Sequence, residues 1–485
     1  MLRTMLLNTS SPRLRGPTLL AVALALSACS NVPKYQKPAL DVPVRFKEAE
    51  DFSRTFAAAN PAAADVPDAW WTLFNDPVLN DLQARLPQGN PSLQASAAAV
   101  AIAQAAVASS RAGLFPTVNL TAGANRAANV ATSPRGTSYS LQGGLSSWEI
   151  DLWNRIGAGI DAAGAKLQAS RATLAATQLS LQATLAQTYF SLRTSETLAL
   201  LLAQTVDAYA KSLVLTQNRY QGGVASAADV AQAQTQLKAA QAQQVEARLQ
   251  RAQLEHALAT LVGQTPAAFS LAANTLADSL PLPPAVPLQL PSSLLERRPD
   301  IAAAERQVMA ANAQIGVAGS AFFPALVLSL NGGVRGNSLA TLIQSANKFW
   351  SIGPSLVLGV FDGGARQAAS DTARAAYDQT VATYKQTVLA AFQEVEDNLI
   401  AASALQEEAA LQHESLVAAK RALEIAQNQY KAGTVSYLNV VTAQTTALGA
   451  EQALLNLRNR QLVAVNLLLK NLAGRWDETT AAATP

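Results

Sequence analysis

The stretch NRYQGGVASAADVAQAQT at residues 218–235 decides the fold, because it returns as NQYKAGTVSYLNVVTAQT at residues 428–445. Eight of the eighteen aligned positions are identical. Such self-similarity at a fixed shift indicates that the chain is built from two repeats. We therefore expect each repeat to form the same structural unit.

Each copy of this stretch contains the signals that end one helix and begin another. Gly223 and Gly433 can adopt the left-handed conformation that stops a helix. Ser226 and Ser436 follow three residues later, and Ser is a preferred N-cap. The sequence therefore predicts two helical hairpins. Their tips are expected at residues 221–227 and 431–437.

The helices that lead into these tips are expected to be very long. Pro is absent from residues 135–265 and 355–484, and one Pro inside a helix costs about 3 kcal/mol. Apolar or small residues alternate at four- and three-residue spacing over 181–220 and recur every seven residues over 381–430, which predicts coiled-coil packing. A helix from Arg155 to residue 220 would be about 100 Å long.

A different periodicity precedes each long helix. After Pro116 and again after Pro324, apolar residues occupy every second position, and we expect β-hairpins at about 116–153 and 324–361. Such alternation is a weak signature of outer-membrane barrel strands, although a soluble hairpin packed on helices would also show it. Four strands cannot close a membrane barrel, which needs about eight. To use these strands in a membrane the chain must therefore oligomerise, and a dimer would supply eight strands and a trimer twelve.

The composition excludes several classes of function. Charged residues make up 14% of the 485 residues, against about 25% in ordinary soluble domains. The net charge of +3 provides no basic footprint, so no nucleic-acid partner is expected. Two His and one Cys cannot build a Cys/His zinc site. After the N-terminal region, no uninterrupted apolar run approaches the roughly 18 residues of a membrane helix.

The N-terminus has the pattern of an export signal. Three Arg and no acidic residue precede an apolar run at 19–26, and Leu-Ser-Ala-Cys follows, ending at Cys29. This order predicts a signal peptide at 1–28. Leu-Ser-Ala-Cys resembles the bacterial lipoprotein processing box, which implies acylation of Cys29. Ser30 fits sorting to the outer membrane, while a plain secretory signal is the alternative.

Four sequence motifs carry a resemblance to a known family. They are WWTLFNDPVL at 70–79, PSSLLERRPDI at 291–301, FDGGAR at 361–366 and AFQEVED at 391–397. Together they resemble the outer-membrane efflux proteins, more closely the lipoprotein branch that serves resistance-nodulation-division (RND) pumps. The resemblance extends from Cys29 to about Trp476.

The resemblance implies a mainly α chain with a small β part. Three chains would form a twelve-stranded outer-membrane β-barrel continued by a long α-helical coiled-coil barrel, with four strands and an internal duplication per chain. The assembly would be a passive exit duct for drugs or other small molecules, anchored in outer-membrane lipid. A periplasmic adaptor and an inner-membrane RND-type transporter would complete the pump. No cofactor and no metal are implied.

Two other functions remain open. The outer-membrane channel of a type I protein secretion system would use a similar fold. A periplasmic coiled-coil scaffold or adaptor lipoprotein would not be a channel, and would have no need of four amphipathic strands. An enzyme is not expected, because Asp362-Gly363-Gly364 lacks the Lys-Ser/Thr of a phosphate-binding loop, and His256 and His413 have no triad pattern.

The hairpin tips contain the candidate gate residues. Arg219, Tyr220 and Asp229 flank the first tip, and Tyr430 flanks the second. In the family, Tyr, Arg and Asp side chains at these turns hold the periplasmic end of the pore closed. The alternative role for Asp229 is that of a first-turn acid that interacts with the helix dipole. Asn439 stands where some members have a charged residue.

These observations divide the chain into six segments. The expected order is a signal peptide (1–28), an extended segment after the lipidated Cys (29–68), the first repeat (69–265), a Pro-rich linker (266–296), the second repeat (297–473) and a tail (474–485). Each repeat is expected to contain a helix, a β-hairpin and a long helical hairpin.

Overall fold

The computed structural model describes residues 33–55, 66–129, 133–274, 280–286 and 297–474. The predicted signal peptide and the lipidation site Cys29 lie outside these residues. Parts of the expected linker and almost all of the C-terminal tail also lie outside them. The 291–301 motif is described from Arg297 onward.

Eight α-helices occur in the described part of the chain. They are α1 (Ala49–Thr55), α2 (Pro77–Gly89), α3 (Pro91–Ala112), α4 (Arg155–Gln221), α5 (Ala227–Leu261), α6 (Pro299–Ser320), α7 (Ala365–Lys431) and α8 (Tyr437–Leu472). Helices α4 and α7 are each 67 residues long, which corresponds to about 100 Å. Short 3₁₀ helices lie at Trp70–Phe74 and Ser345–Asn347.

Four strands complete the secondary structure of the described residues. They are β1 (Val118–Asn129), β2 (Ser133–Ile150), β3 (Ala325–Gly336) and β4 (Lys348–Val357). Each repeat therefore contains one hairpin of strands followed by one hairpin of long helices. The expected fold class, mainly α with four strands and an internal duplication, is confirmed.

The chain divides into two compact units. The sheet unit consists of residues up to Pro38, Ala101–Ala169 and Glu305–Thr383. The helical unit consists of Ala39–Val100, Ser170–Ala304 and the residues from Tyr384 onward. Each unit draws on both repeats.

The four strands form one antiparallel sheet in the order β1-β2-β3-β4. Strands β2 and β3 join the two repeats, with Trp148 opposite Leu328 and Leu145 opposite Leu330. Between these two pairs, β2 has two residues whereas β3 has one. Strand β2 therefore contains a bulge with one extra residue. The bulge keeps Trp148 on the same face as Leu145.

Directly paired residues point to the same side of a sheet, and the register gives one mainly apolar and one mainly polar face, with Val327 and Phe349 as apolar residues on the polar face. The apolar face contains Val118, Leu120, Ala122, Leu141, Leu145, Trp148, Ile150, Leu326, Leu328, Leu330, Val334, Trp350, Ile352 and Leu356. The polar face contains Asn119, Thr121, Asn125, Ser138, Ser140, Gln142, Ser329, Asn331, Ser351 and Ser355. The last strand of each hairpin ends a few residues before the expected hairpin boundary, since β2 ends at Ile150 and β4 at Val357.

Two helices correct the expectation that no mature segment is apolar enough to span a membrane. An 18-residue window of mean hydropathy 1.3 lies in α3 and one of 1.4 in α4, and 11% of each window is buried. By length and composition alone, both helices are therefore long and apolar enough to cross a membrane. The sequence criterion required uninterrupted apolar residues, whereas Ala-rich segments reach this hydropathy with polar residues interspersed. An Ala-rich face equally suits close packing between helices.

The motif at 70–79 contributes two buried polar contacts to the core of the helical unit. Trp70 is fully buried, and its indole nitrogen donates to Asn466 Oδ1 at 3.1 Å. Asp76 caps α2 by accepting from the backbone nitrogens of the first turn. Its other carboxylate oxygen accepts from the Tyr189 hydroxyl at 2.6 Å. These buried polar contacts satisfy groups that would otherwise be costly to desolvate.

Arg298 connects the motif at 291–301 with the motif at 391–397 within the helical unit. Its guanidinium donates to both carboxylate oxygens of Asp300, at 3.0 and 2.6 Å, and to Glu394 at 3.1 Å. Burial would raise the pKa of Asp300, but hydrogen bonds from Arg298 and its charge outweigh this and hold the pKa below its ordinary value. The bidentate geometry makes this a strong ion pair.

Glu305 on α6 contacts the segment at the start of the described chain. Its carboxylate pairs with Lys37 at 3.0 Å and accepts from the Tyr35 hydroxyl at 3.3 Å. Asn312, also on α6, donates to the Pro33 carbonyl at 2.8 Å. Within the sheet unit, α6 thus holds the segment that follows the predicted lipidation site.

Candidate functional site

The sheet has an exposed apolar face. Leu120 is 78% exposed, Trp350 77% and Leu356 65%. Soluble monomers rarely expose contiguous apolar surface of this kind. Among the described residues, β1 pairs only with β2 and β4 only with β3, so both outer edges have free backbone groups. The sheet is therefore incomplete as a single chain.

Each hairpin of strands leads into its long helix through a carboxylate-capped turn. In the first repeat Asp151 accepts from the backbone nitrogens of Ile156 and Gly157 at 3.1 and 2.8 Å. In the second repeat Asp362 accepts from the backbone nitrogen of Gly364 at 3.0 Å. Gly363 and Gly364 have φ angles of 62° and 93°, which only Gly adopts readily. The FDGGAR motif is therefore a strand-to-helix turn.

The first helical tip is closed by a capping box. The Asp229 backbone nitrogen donates to Ser226 Oγ at 3.2 Å. In return the Ser226 backbone nitrogen donates to Asp229 Oδ2 at 2.9 Å. Gly223 precedes this turn with φ 73°. The hydrogen bonds that the Asp229 side chain forms with Ser226 thus stabilise the start of α5.

The second tip has the same turn with a weaker cap. Gly433 has φ 77°, and Ser436 occupies the N-cap of α8 without a side-chain capping hydrogen bond. Asn439 stands at the position that Asp229 occupies in the first repeat. Since its amide carries no charge, it lacks the favourable interaction of an acid with the helix N-terminus.

Arg219 and Tyr430 bring the two tips together. The Arg219 guanidinium lies 4.7 Å from the centroid of the Tyr430 ring, within the range of a cation–π contact. Arg219 Nη1 also donates to the Lys431 carbonyl at 3.3 Å. Arg219 Nε and Tyr430 Oη are buried, and neither has a hydrogen-bond partner in the described part of this chain.

A second Tyr extends this cluster. The rings of Tyr430 and Tyr437 are 5.3 Å apart, and the Tyr437 hydroxyl lies 3.2 Å from Ser212 Oγ. Tyr437 is 2% exposed, and burial raises its pKa. Sequence reasoning missed Tyr437 and Ser212. An aromatic directly after the N-cap, where the first repeat has Ala227, was the available signal.

The four gate candidates therefore separate into two groups. Arg219 and Tyr430 are in contact with each other. Tyr220 is 50% exposed, and Asp229 is engaged in its own capping box. No group of three or more potential metal-ligating side chains occurs among the residues that the structure describes.

Comparison with known proteins gives a consistent assignment. The sequence model of the family described as outer membrane efflux protein matches residues 83–264 and 290–474. The toluene efflux pump outer membrane protein TtgC of Pseudomonas putida is 33% identical over 473 residues, covering 96% of each chain. The outer membrane protein OprJ of Pseudomonas aeruginosa is 32% identical over 469 residues, again covering 96% of each.

Solved structures show the same similarity. The outer-membrane channel OprN superposes with a TM-score of 0.83 at 29% identity, covering 92% of this chain and 100% of that one. The open state of the Neisseria gonorrhoeae MtrE outer membrane channel superposes with a TM-score of 0.80 at 28% identity, covering 92% and 98%.

Proposed function

The chain belongs to the outer membrane efflux protein family, and from that membership we propose that three copies close one barrel in the outer membrane. The protein is an outer-membrane channel for efflux. Its four-stranded sheet has two open edges, which are not tolerated in lipid. Three copies supply twelve strands, enough for a barrel with an open lumen.

The register of the sheet is the observation that carries this proposal. Residues of the apolar face, such as Leu328 and Leu356, face lipid in the closed barrel. Residues of the polar face, such as Ser329 and Ser355, line the lumen. A soluble scaffold protein would not need an exposed apolar sheet face opposite a polar one. The amphipathic sheet therefore favours a channel over a coiled-coil scaffold.

The channel is passive, and its energy comes from partners. TtgC is named as part of a toluene efflux pump, and membership of the same family supports a pump role here. We assign a periplasmic adaptor and an inner-membrane RND-type transporter as partners of the homotrimer. Small polar side chains on the lumen face select weakly, so the transporter chooses the exported small molecules. The chain itself performs no chemistry.

The helical tips form the periplasmic gate in this proposal. The Arg219–Tyr430 contact holds the two hairpins of one chain together, while Tyr220 and Asp229 are available to neighbouring copies. Cys29 anchors the N-terminus through its acyl groups, close in sequence to the segment that α6 holds.

Reconstitution tests the proposed function directly. The full-length protein, purified in detergent, should migrate as a heat-resistant trimer and conduct ions after insertion into planar lipid bilayers. Crosslinking in cells should recover an adaptor and an inner-membrane transporter. A monomer without conductance would contradict the channel assignment. An ATP-driven protein exporter among the crosslinked partners would instead assign the chain to type I secretion.

A further inference from the structure

Apart from Glu149 at the end of β2, the charged residues of the two β-hairpins are basic. Residues 118–148 and 325–361 contain four basic residues and no acidic residue. The basic residues are Arg126, Arg135, Arg335 and Lys348, and in the strands they lie toward the hairpin turns, away from the long helices. The hairpin-turn end of the sheet is therefore basic, whereas Glu149 at the opposite end forms an ion pair with Arg155.

The register assigns three of these residues to faces. Arg126 is an even number of residues from Leu120 on β1, and therefore lies on the apolar face. Lys348 is opposite Val334 and also lies on the apolar face. Arg335 is opposite Ser140 and lies on the polar face. Two charges thus occur on a surface that is otherwise apolar.

Arg126 and Lys348 are available for binding. Both are exposed, and neither has an ion pair or hydrogen bond with any described residue of the chain. A charged side chain on the lipid face of a barrel is costly at the bilayer midplane and nearly free of cost at the interface. These two residues therefore mark the level of the lipid headgroups.

Aromatic residues on the same face support placing Arg126 and Lys348 at the level of the lipid headgroups. On β4, Trp350 follows Lys348 by two residues on the same face and is 77% exposed. On the same face, Tyr139 pairs with Ala124 of β1, next to Arg126. Aromatic rings favour the boundary between hydrocarbon and headgroups. In a closed barrel, β4 of one copy borders β1 of the next, so Lys348 and Arg126 lie on neighbouring strands.

We propose that Arg126 and Lys348, flanked by Tyr139 and Trp350, form a binding surface for the phosphate groups of an anionic lipid. The lipid lies in the leaflet at the hairpin-turn end of the barrel, which is the outer leaflet. This inference rests on the proposed membrane barrel. Arg offers a planar fork of donors that matches phosphate, and Lys supplies a point charge. Three copies give six such side chains around the barrel.

Titration of the purified trimer with lipid tests the surface. Native mass spectrometry would count diphosphoryl lipid A molecules bound to the full-length trimer, with the same lipid lacking its phosphates as reference. The wild type should prefer the phosphorylated form. Arg126→Gln or Lys348→Gln alone should weaken binding about fivefold, and both together about thirtyfold, since each basic residue contributes separately at an anionic surface.

Two control variants separate this surface from general effects. Arg335→Gln removes the same charge from the polar face and should leave lipid A affinity unchanged. The swapped pair Arg126→Lys with Lys348→Arg keeps both charges and should retain most of the affinity. Trimer migration and bilayer conductance of every variant show whether the barrel is intact.

Three results would overturn the inference. One is equal wild-type binding of phosphorylated and dephosphorylated lipid. Another is that the Arg126→Gln/Lys348→Gln variant keeps the wild-type affinity for lipid A, or that Arg335→Gln loses as much affinity as this double variant. The third is tight binding of inorganic phosphate without preference for the lipid. Because conductance is measured in parallel, an intact channel with any of these results rejects this surface and leaves the proposed function standing.

Discussion

The Arg219 guanidinium at the end of α4 lies 4.7 Å from the ring of Tyr430 at the end of α7, so one cation–π contact joins the corresponding ends of the two repeats. Tyr430 is 5% exposed, and its ring also packs on Tyr437. The contact lies within the two repeated stretches, at residues 218–235 and 428–445. It links the two helical hairpins of one chain.

The ring of Tyr430, more than its hydroxyl, should stabilise the closed tip. The hydroxyl has no hydrogen-bond partner in the described chain, whereas the cation–π contact contributes about 0.5–2 kcal/mol. We expect Tyr430→Phe to raise the open probability of the channel slightly and Tyr430→Leu to raise it several-fold more. Single-channel recording measures both. An effect of Tyr430→Phe as large as that of Tyr430→Leu would show that the hydroxyl, and not the ring, stabilises the closed tip.

Asp229 should have two separable roles. Three copies of its carboxylate near the pore axis would favour cations, while the capping box stabilises α5 by about 0.5–2 kcal/mol. Asp229→Asn should lower cation selectivity with little loss of stability, because the Asn amide oxygen can still accept from the Ser226 backbone nitrogen as Asp229 does. Asp229→Ala should lower both. Reversal potentials measure the selectivity, and thermal unfolding measures the stability. Unchanged selectivity in both variants would mean that Asp229 only stabilises the start of α5.

A charge introduced on the apolar face of the sheet should destabilise the trimer more than a charge introduced on the polar face. Leu328→Arg should destabilise the trimer by about 2–4 kcal/mol if it lies near the bilayer midplane. Ser329→Arg, one residue away on the polar face, should cost much less. Leu356→Arg and Ser355→Arg form the matching pair on β4. The four variants can be compared by the heat resistance of their trimers during electrophoresis. An equal loss of trimer for variants of both faces would contradict the assigned orientation.

Acid should weaken the ion pair of Arg298 and Asp300. The pKa of Asp300 in the folded chain lies below its ordinary value, so its stabilising contribution is complete above the ordinary pKa of Asp, about 3.9. The contribution disappears as the pH falls through the lower folded pKa. Thermal unfolding between pH 7 and acid should therefore show a smaller acid-dependent loss in Asp300→Asn. Glu407→Gln, at an exposed position of α7, should retain the wild-type pH profile.

Cys29 should be the site of acylation. Cys29→Ser should abolish labelling with a radioactive fatty acid and leave an uncleaved or soluble precursor. Assembly should survive in part, because one acyl chain binds membranes only marginally and the barrel also anchors the chain. Labelling of Cys29→Ser at the wild-type level would contradict lipidation at this residue.

Much of the architecture could be read from local patterns. The Gly-to-Ser spacing at Gly223 and Ser226 predicted the first tip, and the structure has α4 ending at Gln221 and α5 beginning at Ala227. Alternation at Leu326, Leu328 and Leu330 predicted a strand with one apolar face. Both patterns depend on neighbours a few residues apart, and therefore appear in a single sequence.

The sequence by itself determined the repeats, the long helices and the two-faced strands, because helix periodicity, turn chemistry and strand alternation are local. Only the tertiary structure decided that β2 pairs with β3 across a bulge, that Arg298 reaches Glu394, and that Arg219 packs on Tyr430. These partners are about 100–200 residues apart in the chain. Their pairing depends on how whole helices and strands pack, which no local pattern encodes.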